Sequence, residues 1–361
     1  MIKTTYLHKM TLTKRLFYKI KYSIHKLFHW EYWPQEIVYF IIYPYYAWIA
    51  WKLKAAGFFV IANPHDGEMN FLMESKIKIY KHIPTKYYPS TIYVEPTQDF
   101  NFILEEVKQA QISLPFITKP NIGHKGIGVR KIHSIEELSE HHQSAKHPYL
   151  IQHLMTYEHE IGLFWVRFPN EKNGKLTGIV YKEYLHVIGD GKSTLEELIY
   201  SDARTYYQLH YLKNKFKDEW NSILAKDEKK IIVPFGSHFR GSKFIDYSHK
   251  ITPKLTKTFN TICTQINGYY FGRMDIKFDN WKDLEDGTNF SIIETNGAGS
   301  EPTHIYDPNH SIFFAWKEIV RHLSYLKKVC LQNKQKGYQT ANLKQLLKMY
   351  SDYKVYMKEI E

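Results

Sequence analysis

Apolar and polar residues follow one of two rhythms along most of this chain, and the clearest two-residue alternation lies near the C-terminal end. Phe271 to Phe278 and Phe290 to Gly297 each read as a half-buried strand. Asn280, Asp283, Asp286 and Gly287 lie between them, the composition of a hairpin connection. Alternation puts Arg273 and Asp275 on one face of the first strand, and Glu294 and Asn296 on one face of the second. Antiparallel pairing then presents a cation, two carboxylates and an amide oxygen to one cavity. Hard oxygen ligands of this kind suit Mg²⁺, which is held by one or two carboxylates together with substrate phosphates. Arg273 is left to stabilise charge on a transferring phosphoryl group. A solvated hairpin gives the same alternation in either strand alone. The tandem, followed by the small-residue run Asn296 to Ser300, departs from that simpler pattern.

Upstream, Gly57 to Ala62 reads as a buried strand ending in the Asn63-Pro64 turn, and a short helix opens at Ser75-Lys76 and stops before Pro84. A helix over Phe100 to Gln111 and a strand over Leu114 to Lys119 follow. The loop after that strand carries Gly123, Lys125, Gly126 and Gly128, so it can lay backbone N–H groups on phosphates; a plain turn has the same composition. Its glycine spacing is not the dinucleotide fingerprint. Strands are expected at Tyr149 to Leu154, Ile161 to Phe168 and Thr177 to Val187, the last containing Lys182. Gly189 to Thr194 contains Gly-Lys-Ser, yet His186 stands where a P-loop needs its first glycine. A tight turn with a helix N-cap explains the segment. Residues 201–230 read as polar and helical, Pro234 to Ser242 as a loop with His238 and Arg240, and Ile251 to Gly268 as a helix. Amphipathic helices over Ile312 to Cys330 and Leu343 to Tyr350 close the chain.

The N-terminal segment has its own pattern. Leu16, Ile20, Ile24 and Leu27, joined by Phe17 and Phe28, fall at helical spacing among Lys14, Arg15, Lys19, Lys21 and Lys26. A basic amphipathic helix of this kind either lies on a membrane surface or packs its apolar stripe on the protein's own core. The apolar run Ile37 to Trp51 is interrupted by Pro44 and is shorter than the roughly 18–20 residues that span a bilayer. It reads as buried or interfacial, and no secretory signal precedes it.

With 361 residues, 43% hydrophobic and 24% charged, the chain is globular in composition and long enough for several cores. The formal charge of +12 calls for an anionic partner: nucleic acid, acidic lipid or phosphorylated substrates. No module that interleaves aromatic and basic residues for nucleic-acid binding is evident, so none is expected. Cys263 and Cys330 are the only cysteines, which argues against thiolate metal sites and disulfide frameworks and fits a cytoplasmic setting.

Taken together, Lys119-Pro120 with the Gly123–Gly128 loop, Gln152 to Glu160, Arg273 with Asp275, and Glu294 with Asn296 resemble the ATP-grasp superfamily. The resemblance is to its D-alanine–D-alanine ligase-like branch of carboxylate–amine ligases and spans roughly Ser75 to Pro308. It implies an α+β fold in which two lobes clasp ATP, with an atypical helical and aromatic N-terminal region and C-terminal helices. The implied divisions are 1–62, 63–155, 156–310 and 311–361. Carried over to this chain, Lys76 and Lys119 contact ATP phosphates under the loop of Gly123, Lys125, Gly126 and Gly128. Gln152, His153 and Leu154 line the adenine pocket, Glu160 holds the ribose, and Lys182 also faces the nucleotide. Asp275, Glu294 and Asn296 coordinate two Mg²⁺ ions, and Arg273 and Lys119 act in catalysis. His238, Arg240, Gly299, Ser300 and Glu301 are candidate substrate contacts. The implied reaction joins a small-molecule carboxylate to an amine, with amino-acid-like substrates, through an acyl phosphate. A small-molecule kinase and a basic membrane-surface protein stay open beside it, as does peripheral contact of residues 1–51 with the inner membrane face. A full N-terminal Rossmann-like domain, usual in such ligases, has no counterpart before Ser75.

Overall fold

The computed structural model describes residues 10–64, 73–123 and 126–360. From the N-terminus come α1 (Leu12–Phe28), α2 (Gln35–Phe40) and α3 (Tyr43–Lys52), a 3-10 turn at Phe58–Ile61, and α4 (Lys76–His82). Then follow β1 (Thr91–Val94), α5 (Phe100–Gln109), β2 (Phe116–Pro120), β3 (Arg130–Ile132), α6 (Ile135–Ser144) and β4 (Tyr149–Gln152). The middle of the chain forms β5 (His159–Val166), β6 (Lys175–Glu183), β7 (His186–Ile188), α7 (Leu195–Ser201), α8 (Ala203–Tyr207), α9 (Leu209–Lys215), β8 (Lys229–Ile231) and β9 (Lys243–Asp246). Last come α10 (Pro253–Cys263), β10 (Phe271–Phe278), α11 (Trp281–Asp286), β11 (Phe290–Asn296), α12 (Ile312–Gln335) and α13 (Leu343–Ile360). The architecture is a mix of helices and antiparallel sheets, with helical regions at both ends.

The chain divides into two compact units. The larger comprises Ile42–Tyr181, Asp246–Ile305 and Trp316–Glu361. It contains a four-stranded sheet of order β1-β4-β2-β3, whose apolar face (Val94, Phe116, Ile132, Ile151) packs on Ile103 and Val107 of α5 and Leu138 of α6. A second sheet runs β11-β10-β5-β6-β9, and β6 and β9 are the strands along which the chain leaves and re-enters this unit. Met274, Ile276 and Phe278 of β10 bury one of its faces against Leu255, Phe259 and Ile262 of α10. Phe164, Val166 and Phe271 bury the other face at one end, beneath α3, the 3-10 turn and α12. Each such ring or aliphatic chain contributes about 1.5–3 kcal/mol on burial. Beyond Phe271, the same face of β10 carries Arg273, Asp275 and Lys277. The sheet is therefore apolar where helices cover it and charged where they stop.

Two local expectations are corrected in this unit. Gly57 to Ala62 is not a strand, because Phe58–Ile61 winds into a 3-10 turn buried with Ile49, Leu53 and Val329. A short, wholly apolar run has no periodicity to separate the two states, and here helices surround it. The connection between β10 and β11 is not a bare turn. It folds into α11, capped by the Asn280 side chain on Asp283 N–H (3.0 Å) and closed by left-handed Gly287 (φ +75°).

The smaller unit comprises Met1–Ile41, Lys182–Ile245 and Tyr306–Ala315, of which residues from 10 onward are described. Its core gathers Leu185, Val187, Leu195, Ile199, Leu212, Trp220, Ile232 and Val233 around the β7–β8 pair. Gly189 to Thr194 forms the expected turn and cap. Asp190 accepts from Ser193 N–H (2.6 Å) and Lys192 N–H (3.0 Å), and Thr194 with Glu197 makes a capping box on α7. The polar stretch after Ser201 is helical only to Lys215; Lys229–Ile231 is strand β8. Helix α1 forms as its spacing predicts, yet its apolar stripe does not pack on the core. Tyr22 is the buried residue, and its hydroxyl donates to the carbonyl oxygens of Tyr200 (3.0 Å) and Ser201 (2.7 Å).

Candidate active site

The register of β10 and β11 sets Asp275 opposite Glu294 and Arg273 opposite Asn296, the arrangement expected from alternation. Reaching it takes a β-bulge. Ile276 pairs with Ile292 and Asp275 with Glu294, so Ile293 is the extra residue. Without it, Glu294 would lie opposite Met274 on the core face; a one-residue shift returns it to the side of Asp275. The bulge also frees the Ile293 carbonyl from the ladder, and two side chains claim it: the Tyr80 hydroxyl, by a short bond, and Lys119 Nζ at 3.1 Å.

Lys119 is buried on β2, and its three N–H groups are all engaged, with Tyr80 Oη (2.9 Å), Gln152 Oε1 (2.8 Å) and Ile293 O. Burial lowers its pKa to about 8, with Glu294 pulling the other way. Gln152 completes the set by donating to Thr91 Oγ1 (2.8 Å). Lys76, at the start of α4, donates to Gly123 O (2.5 Å) and lies 3.7 Å from Glu294. Its pKa too is lowered by burial and raised back by Glu294. Helix α4 is held to the glycine loop by Asn121, whose Oδ1 accepts from Ser75 Oγ and Ile77 N–H at 3.1 Å each. Gly126 (φ +73°) and Gly128 (φ +71°) take the left-handed conformation that glycine favours, and a Cβ at Gly128 would stand 2.6 Å from Pro120.

Arg273 grips Asp275 through Nε to Oδ1 (3.0 Å) and Nη2 to Oδ2 (3.3 Å). Burial opposes the guanidinium charge, but Asp275, Glu294 and Glu301 outweigh it and hold the pKa above its ordinary value. Room for this pair comes from Gly162 on β5, the register partner of Asp275. A Cβ there would lie 3.1 Å from Arg273 Cδ and 3.2 Å from Asp275 Oδ1. Ser300 Oγ accepts from Arg273 N–H (3.2 Å) and donates to the Asn296 and Gly297 carbonyls, tying the small-residue tail back onto β10.

Three residues that sequence reasoning left out also shape this place. Tyr80 joins Lys119 to the bulge. Asn63 accepts from Tyr270 N–H and Phe271 N–H (2.9 Å each) and donates to Phe271 O (2.7 Å), clamping the start of β10. Glu74 lies against Gly297, where an added Cβ would be 3.1 Å from its Oε1. Burial pushes its carboxyl up to about 7; the Gly297 N–H and Lys76 oppose the rise and Glu294 adds to it. The only sequence signal for Glu74 was its position two residues before Lys76.

Of the remaining expected residues, Glu160 is buried on β5 opposite Lys277, one pleat from the Asp275–Gly162 pair. His153 N–H donates to Ser90 O (2.9 Å) at the end of β4, and Leu154 is half-buried beside it. Gly299 and Glu301 belong to the tail that Ser300 secures. Lys182, His238 and Arg240 fall in the smaller unit. There His238 lies 3.3 Å from Glu31 and stacks on Tyr306, while Arg240 lies over the ring of Tyr211. Lys125 is outside the described residues.

The donors present fit a divalent cation. Asp275 and Glu294 face each other across adjacent strands, and the buried Asn296 Nδ2, a donor with no hydrogen-bond partner, suits a phosphate oxygen beside the cation. Among the described residues no group of three or more His, Cys, Asp or Glu side chains converges. Mg²⁺ is commonly held by one or two carboxylates together with substrate phosphates, and the facing pair supplies that number of protein carboxylates.

No protein-family model matches the chain, and no curated protein sequence does. Among solved structures it is similar to synthetases and ligases. One is a bifunctional glutathione synthetase from Pasteurella multocida, with 14% identity and a TM-score of 0.41 over 72% of this chain and 36% of that one. Another is the D-alanine–D-alanine ligase of Bacillus anthracis, at 13% identity and TM-score 0.41 over 73% of this chain and 68% of that one. The same ligase complexed with ATP gives 12% identity, the same TM-score and the same coverage. The chain spans about a third of the length of the glutathione synthetase.

Proposed function

We propose that this chain is an ATP-dependent ligase of the ATP-grasp kind that joins a carboxylate to an amine. The observation that carries the reading is one cluster in the larger unit. The Asp275–Glu294 carboxylate pair, Arg273 and Asn296 meet two lysines, buried Lys119 and half-buried Lys76, the latter bonded to the glycine-loop backbone. Largely desolvated cations beside carboxylates and glycine-loop N–H groups suit a polyphosphate with its metal counter-ions.

In this reading Lys76 and Lys119 bind the phosphates, with Lys119 exchanging one of its protein acceptors for a phosphate oxygen. The loop of Gly123, Lys125, Gly126 and Gly128 covers them. Gln152, His153 and Leu154 line the base, Glu160 holds the ribose, and Lys182 is a further nucleotide contact. Asp275, Glu294 and Asn296 would hold Mg²⁺, two ions in the fullest form, and the metal would neutralise charge on the transferring phosphoryl group. A substrate carboxylate oxygen attacks the γ-phosphorus and ADP leaves. An amine then attacks the acyl carbon, phosphate departs, and the amine gives up a proton. Arg273 stabilises the negative charge that develops in both steps. Ser300 accepts from the Arg273 N–H and Glu301 acts on its charge, which supports Gly299, Ser300 and Glu301 as the substrate-facing tail. His238 and Arg240 are kept as candidate grips for a substrate carboxylate or phosphate. The substrates are proposed to be amino-acid-like.

The test uses purified protein with ATP, Mg²⁺ and pooled amino acids, followed by release of ADP and phosphate. With a substrate in hand, ¹⁸O in its carboxylate should appear once in the phosphate released. A stable phosphorylated product with no amide bond would replace the ligase by a kinase acting on a hydroxyl.

A further inference from the structure

In the smaller unit, α1 is mounted back to front. At about 100° per residue, Arg15, Tyr18, Tyr22 and His25 share one face, and this polar and aromatic face docks on the unit. Arg15 pairs with Glu196 at 2.7 Å, Tyr22 bonds the end of α7, and His25 meets Tyr207 at 3.0 Å. Tyr22 is only 2% exposed. Directly opposite, Leu16, Phe17, Ile20, Ile24, Leu27 and Phe28 form an apolar arc of roughly 120° that runs from Leu16 to the end of the helix. They are 57%, 60%, 53%, 52%, 69% and 79% exposed.

An ordinary surface helix turns such a stripe inward. Here the inward face is secured by hydrogen bonds and an ion pair, so the apolar arc is fixed outward. Lysines border it on both sides, Lys14 and Lys21 along one edge and Lys19 and Lys26 along the other. No acidic residue occurs between Leu12 and Phe28. Ile37, Phe40 and Ile41, in and just after α2 of the same unit, are exposed as well.

We propose that the outer face of α1 is a docking surface for a lipid bilayer carrying anionic headgroups. Charge complementarity commits the assignment to this partner. A second copy of the chain would set two rows of lysines against each other. Acidic headgroups instead meet both rows while the apolar arc enters the acyl boundary and the lysine stems reach back to the phosphates. No helix among the described residues is long and apolar enough to cross a membrane, so attachment is at the surface. The proposal is independent of the ligase reading, because no residue of the candidate active site lies on α1.

The test is co-sedimentation of the full chain with phosphatidylcholine vesicles with and without phosphatidylglycerol. Binding to the anionic vesicles, weakened by salt, is expected. Ile20→Asp with Ile24→Asp should reduce partitioning more than about tenfold. Each of Lys19→Gln and Lys21→Gln should reduce it roughly fivefold. These side chains are exposed, so the thermal unfolding curve should not move. As a second readout, Ile24→Cys carrying an environment-sensitive dye should report an apolar surrounding only on anionic vesicles; Cys263 and Cys330 are buried and escape labelling. Equal binding to neutral vesicles, unchanged binding by the double aspartate variant, or a dimer that this variant dissolves would overturn the proposal.

Discussion

Replacing the two facing carboxylates one at a time should separate what each does for the fold from what it does for the ligand. Asp275 is 10% exposed and takes two hydrogen bonds from a guanidinium that is itself 18% exposed. Asp275→Asn keeps one acceptor oxygen, turns an amide N–H₂ toward a donor, and leaves Arg273 without its nearest counter-charge. Breaking a buried pair from one side costs about 3–5 kcal/mol. The retained oxygen and the remaining negative charge of Glu294 and Glu301 place this variant near 3 kcal/mol. Glu294 is 29% exposed, and its ionic partner Lys76 lies 3.7 Å away, beyond a good hydrogen bond. With Glu294 part-exposed the pair is worth about 1 kcal/mol; Glu294→Gln also takes a counter-charge from Lys76 and Lys119 but relieves the repulsion with Glu74. Its unfolding free energy should therefore fall by no more than about 1 kcal/mol, well short of Asp275→Asn.

For ligand binding the two should behave alike. If both carboxylates hold Mg²⁺ against a triphosphate, each substitution should weaken MgATP binding about a hundredfold. At saturating ligand that removes about 2.7 kcal/mol of the stabilisation MgATP confers. The assay is urea unfolding with and without MgATP, with ATP plus a chelator as control. The reasoning is refuted if Glu294→Gln loses as much intrinsic stability as Asp275→Asn, or if either variant keeps full Mg²⁺-dependent protection.

Further expectations rest on neighbouring contacts. Gly162→Ala pushes a methyl to within 2.9 Å of Val180 Cγ1 and 3.2 Å of Asp275; it should cost about 1–3 kcal/mol and reduce MgATP protection, read in the same unfolding experiment. Tyr80→Phe removes one of the two donors to the Ile293 carbonyl and one acceptor of Lys119; a loss of about 1–2 kcal/mol is expected, and no loss would show the bulge to be held by Lys119 alone. Glu318 is desolvated, but hydrogen bonds and charge from His304 and Arg321 override that and bring its pKa down to about 2. A depressed carboxylate stabilises the fold above its unfolded value near 4.5, so about 3 kcal/mol should be lost as pH falls from 4.5 toward 2, and Glu318→Gln should abolish that slope. Glu74 has the opposite sign: with its folded pKa raised to about 7, stability should fall as pH rises from about 4.5 to 7, and Glu74→Gln should flatten that fall in urea titrations across the window.

Much of the scaffold is legible in the chain because local rules and tertiary packing agree there. The helix over α5, the strands β2, β4 and β5, and the Asp190–Thr194 turn follow from periodicity and caps that the fold leaves undisturbed. Gly57 to Ala62 is different, since four consecutive apolar residues carry no phase and only the surrounding helices decide their winding. Helix α1 shows a second kind of limit. Its spacing reveals two faces, but which face turns inward depends on Glu196, Ser201 and Tyr207, residues far along the chain that offer partners to the polar side.

The facing carboxylates make the same point at the site itself. In Phe290 to Asn296, strict alternation would put Phe290, Ile292, Glu294 and Asn296 on one side of the strand, yet Phe290 and Ile292 belong to the core that α10 covers. Both demands are met only if one residue is extra, and Ile293 is that residue. A bulge leaves a backbone carbonyl without its ladder donor, and a buried orphan of this kind costs about 1–3 kcal/mol. Tyr80 and Lys119 supply the missing donors from α4 and β2, 213 and 174 residues away in the chain. The irregularity that turns Glu294 toward Asp275 and the burial of Lys119 therefore stabilise each other. The lysine satisfies the bulge, and the bulge gives a desolvated ammonium an acceptor. Neither half is visible in a local window, because each breaks a local rule that only the other repairs.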